Sequence, residues 1–318
     1  MNHGEKPAWP KIAVMGAGAV GCYFGGMLAR AGAPVALIGR RKHVEAFARE
    51  GLFIDSAKFQ EHVTVGASTE PSAVRGAALV LFSVKTISTE KAARAIAPHL
   101  DAGAMVLSLQ NGVDNVERIR AAGGFAAFPA AVYVAAEMRG PGRVKHNGRG
   151  DLIIGPSAIS PAPAEKFAWI AGIFERAGVP CRISENIESE LWTKLIFNSA
   201  GNAVSALGRC TYGRAARSAE ARELIRAAAE EAMAVARAAG VRLPQTDLIA
   251  MGLKLVEQLG EATSSTEQDL AHGRRTEIDS LNGYIVRRGR EMGVPTPVNQ
   301  ALWALVKLLE PSGPNSSS

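Results

Sequence analysis

The pattern of apolar and polar positions changes character at about residue 184. Before that point, short runs that are apolar at nearly every position alternate with segments of helical periodicity; the clearest runs are 11–15, 34–39, 77–84 and 104–109. Continuous apolar runs of this length are typical of strands buried on both faces of a parallel sheet. From residue 186 to 309, helical periodicity dominates. The pattern predicts an α/β domain followed by an all-helical domain.

Shorter signals complete the predicted elements. In the first domain, residues 52–65 alternate as a hairpin or short strands would, and Gly140-Pro-Gly142 reads as a turn. Further strands are predicted at 125–133, 142–145, 152–155 and 180–183, and helices at 44–50, 90–100 and 162–177. In the second domain, helices are predicted at 188–207, 217–239, 245–260, 263–289 and 298–309, with breaks at Gly213, Gly240, Pro244 and residues 295–297.

These signals place the domains at 1–185 and 186–310. Within the first, residues 1–10 are expected to be flexible. Residues 311–318 are turn-rich and polar, and we expect this tail to be disordered.

A GxGxxG sequence follows the first apolar run at once and leads into a helical segment. In such a loop the first glycine permits a tight turn, the second lets a pyrophosphate approach the backbone, and the third lets the helix pack against the strand. The alternative is a contact between small residues of a helix and a strand. We expect the nucleotide to be bound by Gly16, Ala17, Gly18, Ala19, Val20 and Gly21.

The end of the second apolar run bears on the choice of nucleotide. An enzyme that prefers the non-phosphorylated cofactor carries an acidic residue there, whereas this chain has Arg40-Arg41 and its nearest acid is Glu45. A guanidinium can pair with a ribose 2′-phosphate and stack on adenine. The sequence therefore favours NADP(H), with Arg40 as the main contact; the alternative is a solvated loop cation.

Two more polar residues directly follow buried strands. Lys85 comes after the run 77–84, and Asn111 comes two residues after the run 104–109. Ligands of open parallel sheets bind outside the carboxyl ends of the strands, so both are candidates for the ligand site. Taken singly, Lys85 reads equally well as a loop cation and Asn111-Gly112 as a plain turn.

The first helix of the second domain carries Lys194, Asn198 and Asn202 at every fourth position. At about 100° and 1.5 Å per residue they share one stripe about 12 Å long on an otherwise apolar helix. A lysine with two amide neighbours can hold a polar substrate and deliver a proton; alternatively, Lys194 reaches solvent and the amides bond neighbouring loops. A cleft between the two domains is the expected substrate site.

A further polar stretch contains Ser265 and Glu277, twelve residues apart on one helix or on two broken halves of it. From the residues alone, the simpler interpretation is a helix N-cap for Ser265 and an ordinary charged face for Glu277, Asp279 and Arg275.

Composition narrows the classes of partner. The 318 residues carry a net charge of +6, which favours anionic partners, but the 36 basic residues are dispersed among 30 acidic ones and aromatics are only 6%. Nucleic acid binding is therefore not expected. Cys22, Cys181 and Cys210 lack metal-ligand spacing and cannot all pair, so no metal site is expected and a reducing compartment, the cytoplasm, is implied. No signal peptide or membrane span is expected.

Through these residues, the chain resembles the 2-dehydropantoate 2-reductase, or ketopantoate reductase, family over nearly its whole length. The matching segments are Gly16-Ala-Gly-Ala-Val-Gly21, Val84-Lys85-Thr86, Gln110-Asn111-Gly112, Glu190-Leu-Trp-Thr-Lys194-Leu with Asn198 and Asn202, and Ser264-Ser265 with Arg275-Thr-Glu277-Ile-Asp279. The resemblance implies a Rossmann-type domain followed by an all-α C-terminal domain similar to that of 6-phosphogluconate dehydrogenase. It implies NADPH-dependent reduction of ketopantoate, a small anionic 2-oxo acid, in pantothenate biosynthesis.

The resemblance also implies residue roles. Lys194 would be the general acid, and Asn198, Asn202 and Ser265 would hold the substrate's hydroxyl and carboxylate. The nicotinamide-ribose end would be contacted by Lys85, Asn111, Glu277 and the backbone near Ala136, with Asn111 shared by the substrate.

The chain departs from the family pattern at Ala203, Thr266 and Tyr212, where Pro, Met and a polar amide are expected. These departures leave open a paralogue that acts on another 2-oxo acid. A dehydrogenase of the 6-phosphogluconate or 3-hydroxy acid type and a non-catalytic NADP sensor are further alternatives, and a homodimer is left open as the assembly.

Overall fold

A computed structural model describes residues 8–311, so the expectations for residues 1–7 and 312–318 lie outside the described residues. By internal contacts the chain forms two compact units. Among the described residues, the first contains the chain up to Gln110 together with Asp114–Ile187, and the second contains Asn111–Val113 together with the chain from Glu188 onward. The predicted order, a Rossmann-type α/β half followed by a helical half, is confirmed.

The first unit is built on a mixed sheet. Its strands are β1 (Ile12–Met15), β2 (Val35–Ile38), β3 (Leu52–Ser56), β4 (Phe59–Val63), β5 (Gly66–Ser68), β6 (Leu79–Phe82), β7 (Met105–Ser108), β8 (Phe128–Gly140), β9 (Arg143–Ile154) and β10 (Cys181–Ile183). They are ordered β4-β3-β9-β8-β7-β6-β1-β2-β5, with β10 paired to β9. Its helices are α1 (Ala19–Arg30), α2 (Arg41–Glu50), α3 (Thr89–Ile96), α4 (Asn115–Gly123) and α5 (Ala164–Arg176).

Helices cover the sheet on both faces, which explains the unbroken apolar runs. β1 pairs in parallel with β2 and β6, and β6 with β7. On one face α1 and α5 contribute the fully buried Phe24, Phe167 and Phe174 to the core. On the other face α3 and α4 contribute Ile96 and Ile119. Strands buried on both sides need apolar residues at every position, and this is the pattern that the sequence shows.

The predicted strands 142–145 and 152–155 are one strand, so their separation was wrong. β9 pairs with β8 in a long antiparallel hairpin whose register shifts between Tyr133 and Val134 and again between Ala135 and Ala136. Across that stretch Gly148, Arg149 and Gly150 have positive φ. Irregular backbone of this kind lets pairing continue through a polar, glycine-rich sequence that carries no strand signal.

The second unit is helical throughout its described residues. Its helices are α6 (Ile187–Leu207), which starts at the last residue of the first unit, α7 (Tyr212–Arg217), α8 (Ala219–Ala238), α9 (Leu248–Gln258), α10 (Ser265–Ala271), α11 (Asn282–Met292) and α12 (Pro297–Leu309), with a 3₁₀ turn at Ile278–Ser280. Trp192 and Ile196 of α6 pack with Ile285 of α11 and Val306 of α12 in one core. No helix within residues 8–311 combines the length and apolar character needed to span a membrane.

Three predictions about this unit were wrong. Gly213 is not a break but lies inside α7, where a Cβ would come within 2.9 Å of the Gly260 carbonyl oxygen; the glycine therefore serves a close backbone approach. The stretch 263–289 is not a single helix, because α10 ends before Gly273, whose φ is +62°. Its N-cap is Ser264, whose Oγ accepts from the Glu267 amide at 3.0 Å, and not Ser265.

Candidate active site

The centre of the candidate site is the polar row on α6. Because α6 is one helix from Ile187 to Leu207, Lys194, Asn198 and Asn202 share one face as predicted. Lys194 and Asn198 are half-buried, and Asn202 is 4% exposed. The neighbours Leu195 and Ile196 are buried in the helical core.

Lys194 and Glu277 are joined through Asn111. Lys194 Nζ donates to Asn111 Oδ1 at 2.9 Å, and Asn111 Nδ2 donates to Glu277 Oε2 at 3.3 Å. An ammonium only donates and a carboxylate only accepts, so the amide between them has one orientation. Asn111 reaches this place because it belongs by its contacts to the second unit, although it follows β7 in the chain. The structure thus brings together three residues spread over 166 positions of sequence.

Asn202 is oriented by a partner on α7. The Tyr212 hydroxyl donates to Asn202 Oδ1 at 2.7 Å. Burial raises the pKa of Tyr212, so its hydroxyl stays protonated and remains able to donate this bond. Since Oδ1 is occupied, Nδ2 of Asn202 is the atom left to donate, and it has no hydrogen-bond partner within the described part of the chain. A carboxylate or carbonyl oxygen is the acceptor that such a donor fits.

Ser265 follows a serine that is bonded to the backbone of Asn202. Ser264 Oγ donates to the Asn202 carbonyl oxygen at 3.0 Å, and its backbone amide donates to Ser205 Oγ at 3.2 Å. Ser265 is exposed, as the first residue of α10. Among residues 8–311 the side chains of Ser265 and Asn198 have no hydrogen-bond partner, so both are available to a polar ligand.

The glycine loop of the first unit has the geometry of a dinucleotide cradle. Gly16 has φ +113°, and a Cβ there would come within 2.7 Å of the Ser83 carbonyl carbon. A Cβ at Gly21 would come within 2.2 Å of the Gly16 carbonyl oxygen, so α1 packs directly on the turn. At Gly18, by contrast, no protein atom lies within 4 Å of that position. A bare backbone at the start of α1 suits the close approach of a pyrophosphate.

Three further candidate cofactor-binding residues lie in the same unit. Arg40 is exposed and precedes α2, Lys85 is exposed just after β6, and Ala136 is half-buried on β8 opposite His146. The backbone around Lys85 is held on two sides, because Gln110 Nε2 donates to the Val84 carbonyl oxygen at 3.0 Å and Arg118 donates to the Thr86 carbonyl oxygen at 2.9 Å.

Sequence reasoning missed several residues that support the site. Gln110 precedes the predicted Asn111 and is 6% exposed, and Ser264 precedes the predicted Ser265. A signal existed for both, since each is a polar residue adjoining a candidate. Tyr212 was singled out only as a departure from the family pattern, and its bond to Asn202 could not be predicted. No group of three or more potential metal-ligating side chains occurs within residues 8–311.

A Rossmann-type unit with a glycine cradle and a helical unit with a lysine and amide row define the class of two-domain, dinucleotide-dependent oxidoreductases. Models of the ketopantoate reductase PanE/ApbA family match residues 12–158, and models of its C-terminal domain match residues 186–310. The chain belongs to this family, as its motifs indicated, and it is an oxidoreductase.

Individual proteins of known name are similar to this chain over nearly their whole length. The chain is 35% identical to a 2-dehydropantoate 2-reductase of Pyrococcus abyssi, covering 93% of this chain and 97% of the relative. A PanE/ApbA family ketopantoate reductase from Ralstonia eutropha superposes with a TM-score of 0.87 at 50% identity, over 94% of this chain and 98% of the other. A D-mandelate dehydrogenase, solved with NADH and anilino(oxo)acetate, has a TM-score of 0.85 at 25% identity, over 94% and 98%.

Proposed function

We propose that this protein reduces 2-dehydropantoate to pantoate with NADPH, as a step of pantothenate biosynthesis, and that Lys194 supplies the proton. The observation that carries the proposal is the row of Lys194, Asn198 and Asn202, with Lys194 Nζ fixed by Asn111 at 2.9 Å. The family and the named relatives support the substrate class.

Lys194 has the chemistry that the carbonyl oxygen requires. Negative charge develops on that oxygen during reduction, and an ammonium both stabilises the charge and supplies the proton. The bond to Asn111 Oδ1 uses one of the three protons of Nζ and restricts the position of the other two.

The amides account for the acid part of the substrate. The bond from Tyr212 occupies Oδ1 of Asn202 and leaves Nδ2 able to donate, and Asn198 and Ser265 add polar groups without charge. Donors of this kind can bind a carboxylate or hydroxyl without competing with Lys194 for the proton.

NADPH would be held by residues 16–21 at its pyrophosphate and by Arg40 at its 2′-phosphate, and Lys85, Asn111, Ala136 and Glu277 are the candidates for its nicotinamide-ribose end. When bound, the cofactor supplies the hydride. The room at Gly18 and the cations at the start of α2 support this assignment.

A second candidate is the reduction of a different 2-oxo acid. Two observations favour it. The chain is similar to a D-mandelate dehydrogenase, and the aromatic side chain of Tyr212 is bonded to Asn202, a candidate substrate-binding residue. A non-catalytic dinucleotide sensor would bind NADPH and turn over no 2-oxo acid.

The test of the activity is to mix the protein with NADPH and ketopantoate and to follow the loss of reduced-nicotinamide absorbance. NADH and aromatic or branched 2-oxo acids are run alongside.

We expect Lys194→Ala to lower kcat at least ~100-fold, the scale of a lost general acid, while the Kd for NADPH stays nearly unchanged. Lys254→Ala, which removes an exposed lysine from α9, is the matched control and should keep full activity. Equal kcat values for Lys194→Ala and the control would end the assignment. Fast turnover of a different 2-oxo acid, with ketopantoate inert, would establish the second candidate.

A further inference from the structure

The segment that carries Glu277, between α10 and α11, is anchored by the end of α12. The backbone amide and Oγ1 of Thr276 both donate to Glu310 Oε1, at 2.8 and 2.7 Å. Lys307 Nζ donates to the other oxygen of the same carboxylate at 2.6 Å. The Glu310 side chain is 5% exposed, so these bonds are shielded from water and gain strength from that shielding.

A second anchor lies on the other side of Glu277. Asp279 Oδ1 accepts from Trp303 Nε1 at 2.7 Å, and its Oδ2 accepts from Lys307 Nζ at 3.0 Å. Lys307 therefore bridges the carboxylates of Glu310 and Asp279. The residue before Glu277 and the residue two after it are both tied to the last turns of one helix.

The position of Glu310 is not explained by the stability of α12 itself. Glu310 stands at the C-cap of that helix, where the negative end of the helix dipole disfavours a carboxylate. Its two Thr276 bonds and its pairing with Lys307 offset that cost. A buried carboxylate in an unfavourable helix position, with both oxygens bonded, serves the segment that it holds.

We propose that Glu310 is a positioning residue of the active site, acting through Thr276 on Glu277. With its backbone held, Glu277 keeps Oε2 at the Asn111 amide, and Asn111 keeps Oδ1 at Lys194 Nζ. Glu310 touches neither reacting group, so its effect on turnover passes through that sequence of hydrogen bonds. This inference rests on the proposed reductase function.

The anchoring step is tested without activity by limited trypsin digestion. Arg274 and Arg275 are trypsin sites in the anchored segment, two residues and one residue before Thr276. We expect Glu310→Ala to be cleaved there at least about tenfold faster, because cleavage requires the segment to open locally. The matched control is Glu291→Ala, which breaks the i,i+3 ion pair to Arg288 on α11 and should be cleaved like the wild type.

The positioning step is tested by kinetics in two backgrounds. Glu310→Ala should lower kcat/KM roughly tenfold in the wild type, since small misplacements of a site are costly, and should add almost nothing in a Glu277→Ala background, which lacks the acceptor for Asn111. A purely structural role would give the same fold loss in both backgrounds, and that result would overturn the proposal. Unchanged trypsin cleavage would overturn it too. If the wild type reduces no 2-oxo acid, the proposed function fails. Trypsin cleavage and the Kd for NADPH, measured for both backgrounds with and without Glu310→Ala, then decide this inference.

Discussion

At the scale of single residues, the site is defined by which groups can only donate and which can only accept. Asn111 lies between an ammonium and a carboxylate, and Asn202 accepts from a phenol that burial keeps protonated. The partners of Asn111 fix which end of its amide faces Lys194, and the bond from Tyr212 leaves Nδ2 as the end of Asn202 that can donate to a ligand. The two amides are therefore oriented before any substrate binds, which reduces the ordering cost of binding.

The role of Tyr212 can be measured with Tyr212→Phe. Without the hydroxyl, Oδ1 of Asn202 loses its donor although Asn202 is only 4% exposed, and the side-chain amide can flip by 180°. We expect the KM for the 2-oxo acid to rise roughly fivefold, equivalent to about 1 kcal/mol for one hydrogen bond, with little change in kcat. The check is steady-state kinetics at saturating NADPH. Identical KM values would show that the hydroxyl does not orient Asn202 for binding.

The sequence shows the members of the site better than their contacts. The fourth-residue spacing of Lys194, Asn198 and Asn202 follows from helix geometry alone, so it could be predicted. The bond between Lys194 and Asn111 could not, because 83 residues separate them and nothing local reports that a loop joins the other unit. The choice of N-cap between Ser264 and Ser265 depends on backbone angles, and either serine satisfies the sequence rule.

At the scale of elements, the start of α2 has an unusual concentration of positive charge. Arg40, Arg41 and Lys42 occupy its N-cap and first turn without an acidic residue, although the positive end of the helix dipole favours anions there. Burial lowers the pKa of His43, and the positive charges of Arg40 and Lys42 lower it further. A bound phosphate would relieve this repulsion, which agrees with the proposed 2′-phosphate contact.

Cofactor preference therefore tests the start of α2. We expect Arg40→Ala to reduce the ratio of kcat/KM for NADPH to that for NADH about tenfold, the scale of one charge-assisted hydrogen bond. Arg49→Ala, which removes an exposed arginine from the last turn of the same helix, should leave the ratio unchanged. If both variants keep the wild-type ratio, the phosphate contact is elsewhere, with Arg41 the next candidate.

At the scale of the whole molecule, the chain passes between its two units three times, after residues 110, 113 and 187. The sequence predicted only one change, near 185, because composition and periodicity average over many residues. A three-residue segment carries no periodicity, so its membership in the second unit is visible only in three dimensions. That segment nevertheless supplies Asn111 to the site and Val113 to the helical core.

The stability of the second unit should therefore depend on Val113, which precedes most of that unit in the sequence. We expect Val113→Ala to cost about 1 kcal/mol of packing and to speed amide hydrogen exchange in α6 roughly fivefold. Val116→Ala, three residues later in the core of the first unit, is the control and should speed exchange in α3 and β7 but not in α6. If Val113→Ala sped exchange in α3 and β7 but not in α6, Val113 would not pack in the helical core.

The placement of Asn111 before Gly112 has a consequence for the lifetime of the enzyme. Asparagine followed by glycine is prone to spontaneous deamidation, because the unhindered glycine nitrogen can attack the side-chain carbonyl carbon and expel ammonia. The succinimide ring that forms is then opened by water, which gives an aspartate or isoaspartate whose new carboxylate would face that of Glu277 with like charge. The hydrogen bonds from Lys194 and to Glu277 restrict rotation of the Asn111 side chain toward the Gly112 nitrogen, so we expect them to slow this chemical ageing of the site.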